Sequence, residues 1–285
     1  MQTPTAQAEP LAQSGAMCEL FAMSCRKPAA LTLSLDVLAR HGGGAGPHRD
    51  GWGITFYEGR DVRVVREATA AHDSPWVRCV REHALLSRLA VAHIRRATLG
   101  RRTLANTQPF ARELGGRMHV FAHNGHLPHI TTDPRFVLGS FQPIGETDSE
   151  HAFCALLARL APLWRQPPRK SPAWDRYALL AKFASDLRSL GPANFLYTDG
   201  ELLIAHAHRR TQESGTIEPP GLWMVERECA ATGPDAPTSG VTIKAHAQRV
   251  VLIASVPLSN EAWRPLFEGE LVVLKDAQLI PYWEG

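Results

Sequence analysis

At 285 residues, with 44% hydrophobic and 21% charged residues, the chain has the composition of an ordinary globular protein, long enough for one large domain or two small ones. Its net charge of +3 is too small to indicate nucleic acid binding, and no run of about 18 apolar residues is present to span a membrane. The five cysteines are widely spaced and form no CxxC pair, which favours reduced thiols over a disulfide framework or a structural zinc site.

The first 17 residues differ from the rest of the chain. They are polar and Ala-rich, carry Pro4 and Pro10, and show no period, so we expect a disordered leader over 1–17 and a domain over 18–285. The leader has no basic start and no apolar core, which argues against a secretory signal, and it has no arginine, which argues against a transit peptide; we therefore expect a cytoplasmic protein. If the mature chain begins after Met17, Cys18 carries a free α-amine, and thiol and amine together form a nucleophile with its own base.

Apolar patterning predicts the secondary structure in chain order. The first part of the chain is predicted to hold a strand over 18–25 with a turn at 26–28, a hairpin of strands 51–57 and 62–65, a helix over 76–86 and a buried strand over 89–94. The rest is predicted to hold a strand over 118–123, helices over 152–161 (stopped by Pro162) and 174–190, strands over 193–197, 202–206, 221–225, 250–255 and 270–274, and an exposed loop over 227–239. Strands, then helices, then strands predict an α+β protein of layered sheets.

Cys18 opens an apolar strand and is the first candidate for chemistry. Its alternative interpretation is a small buried hydrophobe, which cysteine often is. The second candidate is the end of the strand over 92–94, where Arg95 and Thr98 follow. A guanidinium fork beside a hydroxyl suits a carboxylate, although a surface charge cluster with Arg101 and Arg102 is equally consistent with the sequence.

Two further candidates lie at strand and helix ends. Asn124 and Gly125 follow a strand, and an amide side chain with a glycine N–H can converge on a developing oxyanion; the alternative is a type I′ hairpin turn, which Asn-Gly favours. Asp148 belongs to the acidic segment 145–150 just before a helix, and the alternative there is helix capping.

Taken in order, these segments resemble the class II glutamine amidotransferases, and most closely the members that lack an attached synthetase domain. The resemblance rests on MCELF at 17–21, HRDGWGI at 48–54, AHIRRAT at 92–98, AHNG at 122–125 and GETDSE at 145–150, with weaker matches in NFLYTDG at 194–200 and in 254–271. It extends from Met17 almost to the end of the chain.

The resemblance implies a role for each candidate. Cys18 would attack the side-chain amide of glutamine or of a γ-glutamyl compound and form a γ-glutamyl thioester, with its own α-amine as base. Asn124 and Gly125 would form the oxyanion hole. Arg95, assisted by Thr98, would hold the substrate α-carboxylate, and Asp148 would hold the α-ammonium. Relatives often carry Trp and His where this chain has Arg96 and Leu99, so the contacts there differ.

The resemblance also implies a fold and a partner. The fold would be the four-layer α/β/β/α sandwich of the N-terminal nucleophile hydrolases. The reaction would need no metal and no organic cofactor, and the ammonia would go to a separate partner or simply be released. The sequence does not identify the acceptor; the loop over 227–239 and the Pro-rich segment near Pro167 are the candidate positions for partner specificity.

Three alternatives come from other classes. A metal-dependent hydrolase would use the clustered histidines, although no HExxH spacing is present. A nucleic-acid or phosphate module would use the arginines near Arg95, which have no interleaved aromatic residues. A catalytically silent binding protein would keep the fold with a blocked Cys18 amine. The histidines of the metal-dependent hydrolase alternative are His123, His126, His129, His206 and His208.

Overall fold

The structure is a computed structural model, and it describes residues 18–33, 50–71, 74–83, 85–95, 101–164, 173–212, 214–229, 241–244 and 247–281. The strands in chain order are β1 (Glu19–Leu33), β2 (Trp52–Glu58), β3 (Asp61–Glu67), β4 (Leu86–Ile94), β5 (Phe110–Glu113), β6 (Met118–Gly125), β7 (Ala193–Thr198), β8 (Leu203–His206), β9 (Arg210–Thr211), β10 (Ile217–Glu218), β11 (Trp223–Cys229), β12 (Val241–Lys244), β13 (Gln248–Ala254), β14 (Arg264–Pro265), β15 (Leu271–Lys275) and β16 (Gln278–Leu279). The helices are α1 (Pro75–His83), α2 (Asp148–Trp164) and α3 (Ala173–Arg188), with 3-10 turns at Leu104–Asn106 and Pro134–Phe136.

Two antiparallel sheets form the centre of the protein. In the described part of the chain, the first sheet has eight strands in the order β14-β11-β13-β1-β4-β2-β3, with β12 also paired to β1. The second sheet has six, in the order β16-β15-β8-β7-β6-β5, and β9 and β10 form a separate ribbon. The sheets pack face to face, since the strands of both contribute to one shared apolar cluster.

Side-chain alternation along β1 explains how the layers form. Successive residues of a strand point to opposite faces, so Leu20 and Ala22 enter the cluster between the sheets, whereas Phe21 and Met23 enter a cluster on the outer face. Helix α1 packs on that outer face through Val77 and Val80.

Helices α2 and α3 cover the outer face of the second sheet. Phe153, Leu156 and Leu157 of α2 share one cluster with Leu180 and the apolar residues of β6 and β7. The order is therefore helix, sheet, sheet, helix, and the predicted four-layer α/β/β/α arrangement is confirmed.

Three local predictions were wrong. The exposed loop predicted over 227–239 begins later, because residues 227–229 are the last residues of β11 (Trp223–Cys229). The turn predicted at 26–28 is part of β1, whose pairing with β4 shifts register between Ser24 and Ala29, so the extra residues bulge within one strand. Pro162 does not stop α2, which continues to Trp164. A proline removes one backbone donor, and a single missing bond in the last turn leaves the rest of the helix intact. The segments near Pro167 and over 230–239 lie outside the described residues.

Candidate functional site

The candidate residues meet at one end of the sandwich, which we call the Cys18 end. Here β1 begins, β4 and β6 end, and β7 begins, as the pairs Glu19 to Ile94 and Gly125 to Ala193 show. Cys18 is half-buried just before β1, and Asn124 and Gly125 are the last two residues of β6. Thr98 lies outside the described residues.

Asn124 contacts Cys18 directly. Its Nδ2 donates a hydrogen bond to the Cys18 carbonyl oxygen at 2.5 Å, a contact that joins the two sheets. An asparagine amide has two N–H donors, and this bond uses one of them. An amide donor beside a thiol can stabilise an oxyanion that forms at that thiol.

The Asn-Gly pair is not a hairpin turn. Strand β6 pairs with β7 as far as Gly125, so both residues continue the ladder. A Cβ atom on Gly125 would lie 1.9 Å from the Pro192 carbonyl oxygen, so only glycine fits this approach of the two strands. The strand therefore fixes the direction of the Asn124 side chain.

Asn194 supports Asn124 from the neighbouring strand. Its Nδ2 donates to the Asn124 carbonyl oxygen at 3.2 Å and to that of Arg209 at 2.8 Å, while its Oδ1 accepts the N–H of His208 at 2.7 Å. Asn194 was not assigned a role from the sequence, although an asparagine at the start of an otherwise apolar strand was a usable signal, and the structure buries it fully.

Arg95 is almost fully buried at the end of β4, with 4% of its surface exposed. Its backbone N–H donates to the Gly51 carbonyl oxygen at 2.8 Å, and its Nη1 donates to the Arg101 carbonyl oxygen at 2.9 Å. The guanidinium is thus held in place by the backbone, which is inconsistent with the alternative of a solvated surface cluster.

A short hydrogen-bond chain links Arg95 to the segment before α2. The N–H of Arg101 donates to Glu146 Oε1 at 3.0 Å, and the N–H of Glu146 donates to Asn106 Oδ1 at 2.9 Å. The hydrogen bonds from Arg101 and Asn106 lower the pKa of Glu146. The two polar segments that hold Arg95 and Asp148 are therefore fixed relative to each other.

Asp148 joins the exit of β6 to the start of α2. Its Oδ2 accepts the N–H of Leu127 at 2.8 Å, its Oδ1 accepts the N–H of Ser149 at 2.8 Å, and His126 Nδ1 lies 3.6 Å from Oδ2. The helix is capped by Thr147, whose Oγ1 accepts the N–H of Glu150 at 3.2 Å, so the capping interpretation holds for this segment but not for the Asp148 carboxylate. Each carboxylate oxygen has a second lone pair, so the same group can also accept from a cation.

A buried carboxyl group follows the cysteine. Glu19 is 1% exposed, and its Oε1 lies 3.5 Å from Arg210 Nη2. Burial raises the pKa of Glu19 to about 8, and the nearby Arg210 only partly offsets it. Arg210 Nη1 in turn donates to the Ser255 carbonyl oxygen at 2.7 Å, and Ser255 Oγ accepts the N–H of Leu20 at 3.0 Å. These contacts hold the first residues of β1.

Two buried histidines at this end are neutral at pH 7. Burial, together with the nearby His123 and Arg95, lowers the pKa of His93 to about 3. Burial also lowers the pKa of His123 to about 4, while its Nδ1 lies 2.9 Å from Ser149 Oγ. The imidazoles therefore add no positive charge beside Cys18 at neutral pH.

The histidines of the metal-hydrolase alternative have other contacts. His206 Nδ1 lies 3.2 Å from the Glu270 carbonyl oxygen, and the N–H of Ala193 donates to His208 Nδ1 at 3.3 Å. Within the described ranges, no three residues among His, Cys, Asp and Glu are grouped to hold a metal ion. Nor is any described helix both long and apolar enough to cross a membrane.

A family model and a known relative point to the same protein family. The family model for "Glutamine amidotransferases class-II" matches residues 17–284. The "Putative glutamine amidotransferase YafJ" of Escherichia coli K12 is 37% identical over 258 residues, which cover 89% of this chain and 96% of that protein.

Solved structures agree with this result. The 2.0 Å crystal structure of a "predicted glutamine amidotransferase" from Pseudomonas aeruginosa superposes with a TM-score of 0.67 at 33% identity, covering 93% of this chain and all of the other. Glutamine phosphoribosylpyrophosphate amidotransferase from B. subtilis shares the fold, with a TM-score of 0.52 at 15% identity over 92% of this chain and 48% of its own.

Proposed function

Because the chain belongs to the class II glutamine amidotransferases, we propose that it cleaves the side-chain amide of glutamine, or of a γ-glutamyl compound, with the Cys18 thiol as nucleophile. The observation that most supports this is the hydrogen bond between Asn124 and Cys18, which joins an oxyanion donor to the nucleophile across the two sheets.

The thiol and the α-amine of Cys18 act together. An α-amine has a pKa of about 8 and a thiol of about 8.5, so a proton passes between them at little cost. The thiolate sulfur attacks the amide carbon, and the C–N bond then breaks as the ammonium returns its proton to the departing nitrogen. Ammonia leaves, and the γ-glutamyl group stays on sulfur as a thioester. Water then attacks the thioester and releases the acid and the thiol.

Asn124 and Gly125 stabilise the oxyanion of each tetrahedral intermediate. The second N–H of the Asn124 amide and the backbone N–H of Gly125 are the donors, and the rigid β6–β7 ladder holds both before the reaction begins. Preorganised donors need no reorganisation as charge develops, so each is worth about 3 kcal/mol of barrier.

Arg95 and Asp148 select the two charged ends of the amino acid. The buried Arg95 guanidinium binds the α-carboxylate, assisted by Thr98, and Asp148 accepts hydrogen bonds from the α-ammonium. The chain Arg101–Glu146–Asn106 keeps the distance between these two charges constant. A free α-amino acid head group is therefore required.

The mechanism demands a free α-amine on Cys18, so we propose that residues 1–17 are absent from the working enzyme. The released ammonia passes to a separate acceptor or to solvent. Comparing the hydrolysis of glutamine with that of γ-glutamyl peptides distinguishes an ammonia donor from an amidohydrolase of γ-glutamyl amines.

Ammonia release from glutamine tests the proposal. We expect activity in a chain that begins at Cys18 and its loss, by at least about 10⁴-fold, in Cys18→Ala, because no other group supplies the nucleophile. Cys79→Ala is the matched control, since Cys79 lies on α1 at the outer layer and should keep full activity. Unchanged ammonia release in Cys18→Ala would contradict the mechanism.

A further inference from the structure

A cavity of about 370 Å³ lies at the opposite end of the sandwich, which we call the far end. It is lined by the turn between β2 and β3, the start of β4, the residue before β6, and the turns that follow β7 and β15. Cys25 of β1 also borders it, seven residues along the strand from Cys18. At about 3.3 Å per residue the two places are about 20 Å apart, so the cavity is separate from the Cys18 end.

The charged side chains that line this cavity do not balance. Four are cationic and two are acidic: Arg60, Arg88, Arg117 and Lys275, against Glu201 and Asp276. Arg88 Nη1 lies 3.3 Å from Asp276 Oδ1, and Lys275 Nζ lies 3.0 Å from Glu201 Oε1. These two pairs account for both acids of the lining.

Arg60 and Arg117 are the remaining cations. Arg117 is held at the back of the cavity, 12% exposed, by the Asp199 carbonyl oxygen at 3.0 Å and by the ring of Trp164. The carboxylates nearest to it, on Asp199 and Glu201, are 3.9 and 4.0 Å away and are already bound by Arg176. In the part of the chain that the structure describes, the exposed Arg60 side chain has no acidic partner.

We propose that this cavity binds a small dianion, such as phosphate, a phosphate monoester or a dicarboxylate. Two cations without a full counter-charge call for two negative charges, and guanidinium groups bind oxyanions through paired N–H donors. A volume of about 370 Å³ is in the range of small-molecule sites. A positively lined concavity also concentrates anions.

The dianion would bridge the two sheets. Arg60 and Arg88 belong to the first sheet, whereas Arg117 and Lys275 belong to the second. Two hydrogen bonds already join the two sheets here. The Met118 N–H donates to the Arg60 carbonyl oxygen at 2.9 Å, and Tyr57 Oη donates to the Met118 carbonyl oxygen at 2.8 Å. A bound dianion therefore ties both layers together and stabilises the folded chain.

Thermal unfolding of the full chain with sodium phosphate, sodium malonate or sodium chloride at equal ionic strength tests the proposal. Phosphate should raise Tm above the chloride value with a saturable dependence on concentration. An equal effect of malonate supports a dianion in general, and an effect of phosphate alone supports a phosphate ester. No increase over chloride with either dianion would overturn the proposal.

Substitutions in the cavity lining test where phosphate binds. Arg60→Ala should weaken phosphate binding by about tenfold, the value of one charge-assisted hydrogen bond, and Lys275→Gln should also weaken it. Arg63→Ala is the matched control, because Arg63 lies on the same hairpin but pairs with Glu58 outside the cavity. Equal phosphate binding in Arg60→Ala, Lys275→Gln and the control would place the anion elsewhere and overturn the site. Cys18→Ala should bind phosphate normally, so the result is independent of the proposed catalysis.

Discussion

Buried ionisable groups differ in charge state between the two ends of the sandwich. At the Cys18 end, burial raises the pKa of Glu19 to about 8 and lowers that of His93 to about 3, so both side chains are uncharged at neutral pH. At the far end, burial alone would raise the pKa of Asp199, but Arg176 at 2.6 Å and further hydrogen bonds outweigh it and lower that pKa. Glu19 and His93 at the Cys18 end are therefore uncharged, whereas Asp199 at the far end is ionised and paired with Arg176.

This difference places the proposed catalysis at the Cys18 end and structural stabilisation at the far end. In the proposed mechanism, the uncharged Glu19 and His93 leave the Cys18 thiol and amine to exchange a proton with each other, and the low dielectric strengthens the few donors aimed at the reacting atoms. At the far end Asp199 and Arg176 satisfy each other and hold the turn after β7 in place, while the cavity lining keeps an excess of positive charge. Substitutions at the two ends should therefore affect different measurements.

The largest effect should come from breaking the ion pair between Asp199 and Arg176 at the far end. Asp199→Ala leaves the 2% exposed Arg176 guanidinium without its main partner, which typically costs about 3–5 kcal/mol of unfolding free energy. Urea unfolding measures this loss, and the kcat of the folded fraction should remain within about twofold. A large fall of kcat at unchanged stability would mean that the two ends are not separate.

Asn124→Ala should give the opposite pattern. Removing one oxyanion donor lowers kcat by about 10²- to 10³-fold, while the free energy of unfolding falls by about 1–2 kcal/mol, because the truncated side chain loses its one hydrogen bond, to the Cys18 carbonyl oxygen. Steady-state ammonia release measures kcat, and urea unfolding is the companion measurement. Asn194→Ala should fall between the two patterns, since it loosens Asn124 without removing its donor.

Arg95→Lys tests substrate selection at the Cys18 end. Lysine keeps the charge but loses the paired donors, so we expect KM for glutamine to rise by about tenfold with a smaller change in kcat. Arg102→Lys is the control, because Arg102 is exposed and pairs with Asp50. Equal KM values for the two variants would remove Arg95 from the carboxylate site.

The smallest effect concerns Glu19. Its carboxyl group keeps the proton up to a pKa of about 8 in the folded chain but loses it near 4.5 when unfolded, so the folded chain binds more protons between these values. Its contribution to stability therefore falls as pH rises through this window, by at most about 1.4 kcal/mol per pH unit. Glu19→Gln should lack this decline between pH 6 and pH 7 in urea unfolding, and an identical pH slope in both proteins would contradict it.

The strongly periodic elements were predictable from the sequence. The hairpin of β2 and β3 and the helices α2 and α3 follow from alternation, helical spacing and flanking turn residues. Strands β9, β10, β14 and β16 have two residues each, and so short a segment shows no period. Pairing with another strand defines them, locally for β9, β10 and β16 and over a longer distance for β14, and pairing also continues β1 through the predicted turn at 26–28.

The candidate site was predictable only in part. Cys18, Arg95, Asn124, Gly125 and Asp148 stand in motifs at strand and helix ends, and the fold gathers them at one end. Their supports are distant in sequence: Asn194 lies 70 residues from Asn124, and Ser255 lies 235 residues from Leu20. No local pattern encodes such partners, because they meet only when the two sheets are assembled.

A glutamine analogue that alkylates thiols tests the central claim most directly, with the modified residue located by peptide mass spectrometry. In a chain that begins at Cys18, one adduct per chain should form on Cys18 and ammonia release should cease; Cys25 should not react, because burial raises its pKa to about 12. A chain that retains residues 1–17 should neither react nor release ammonia. Equal labelling and equal activity of the two chains would contradict the role of the Cys18 α-amine.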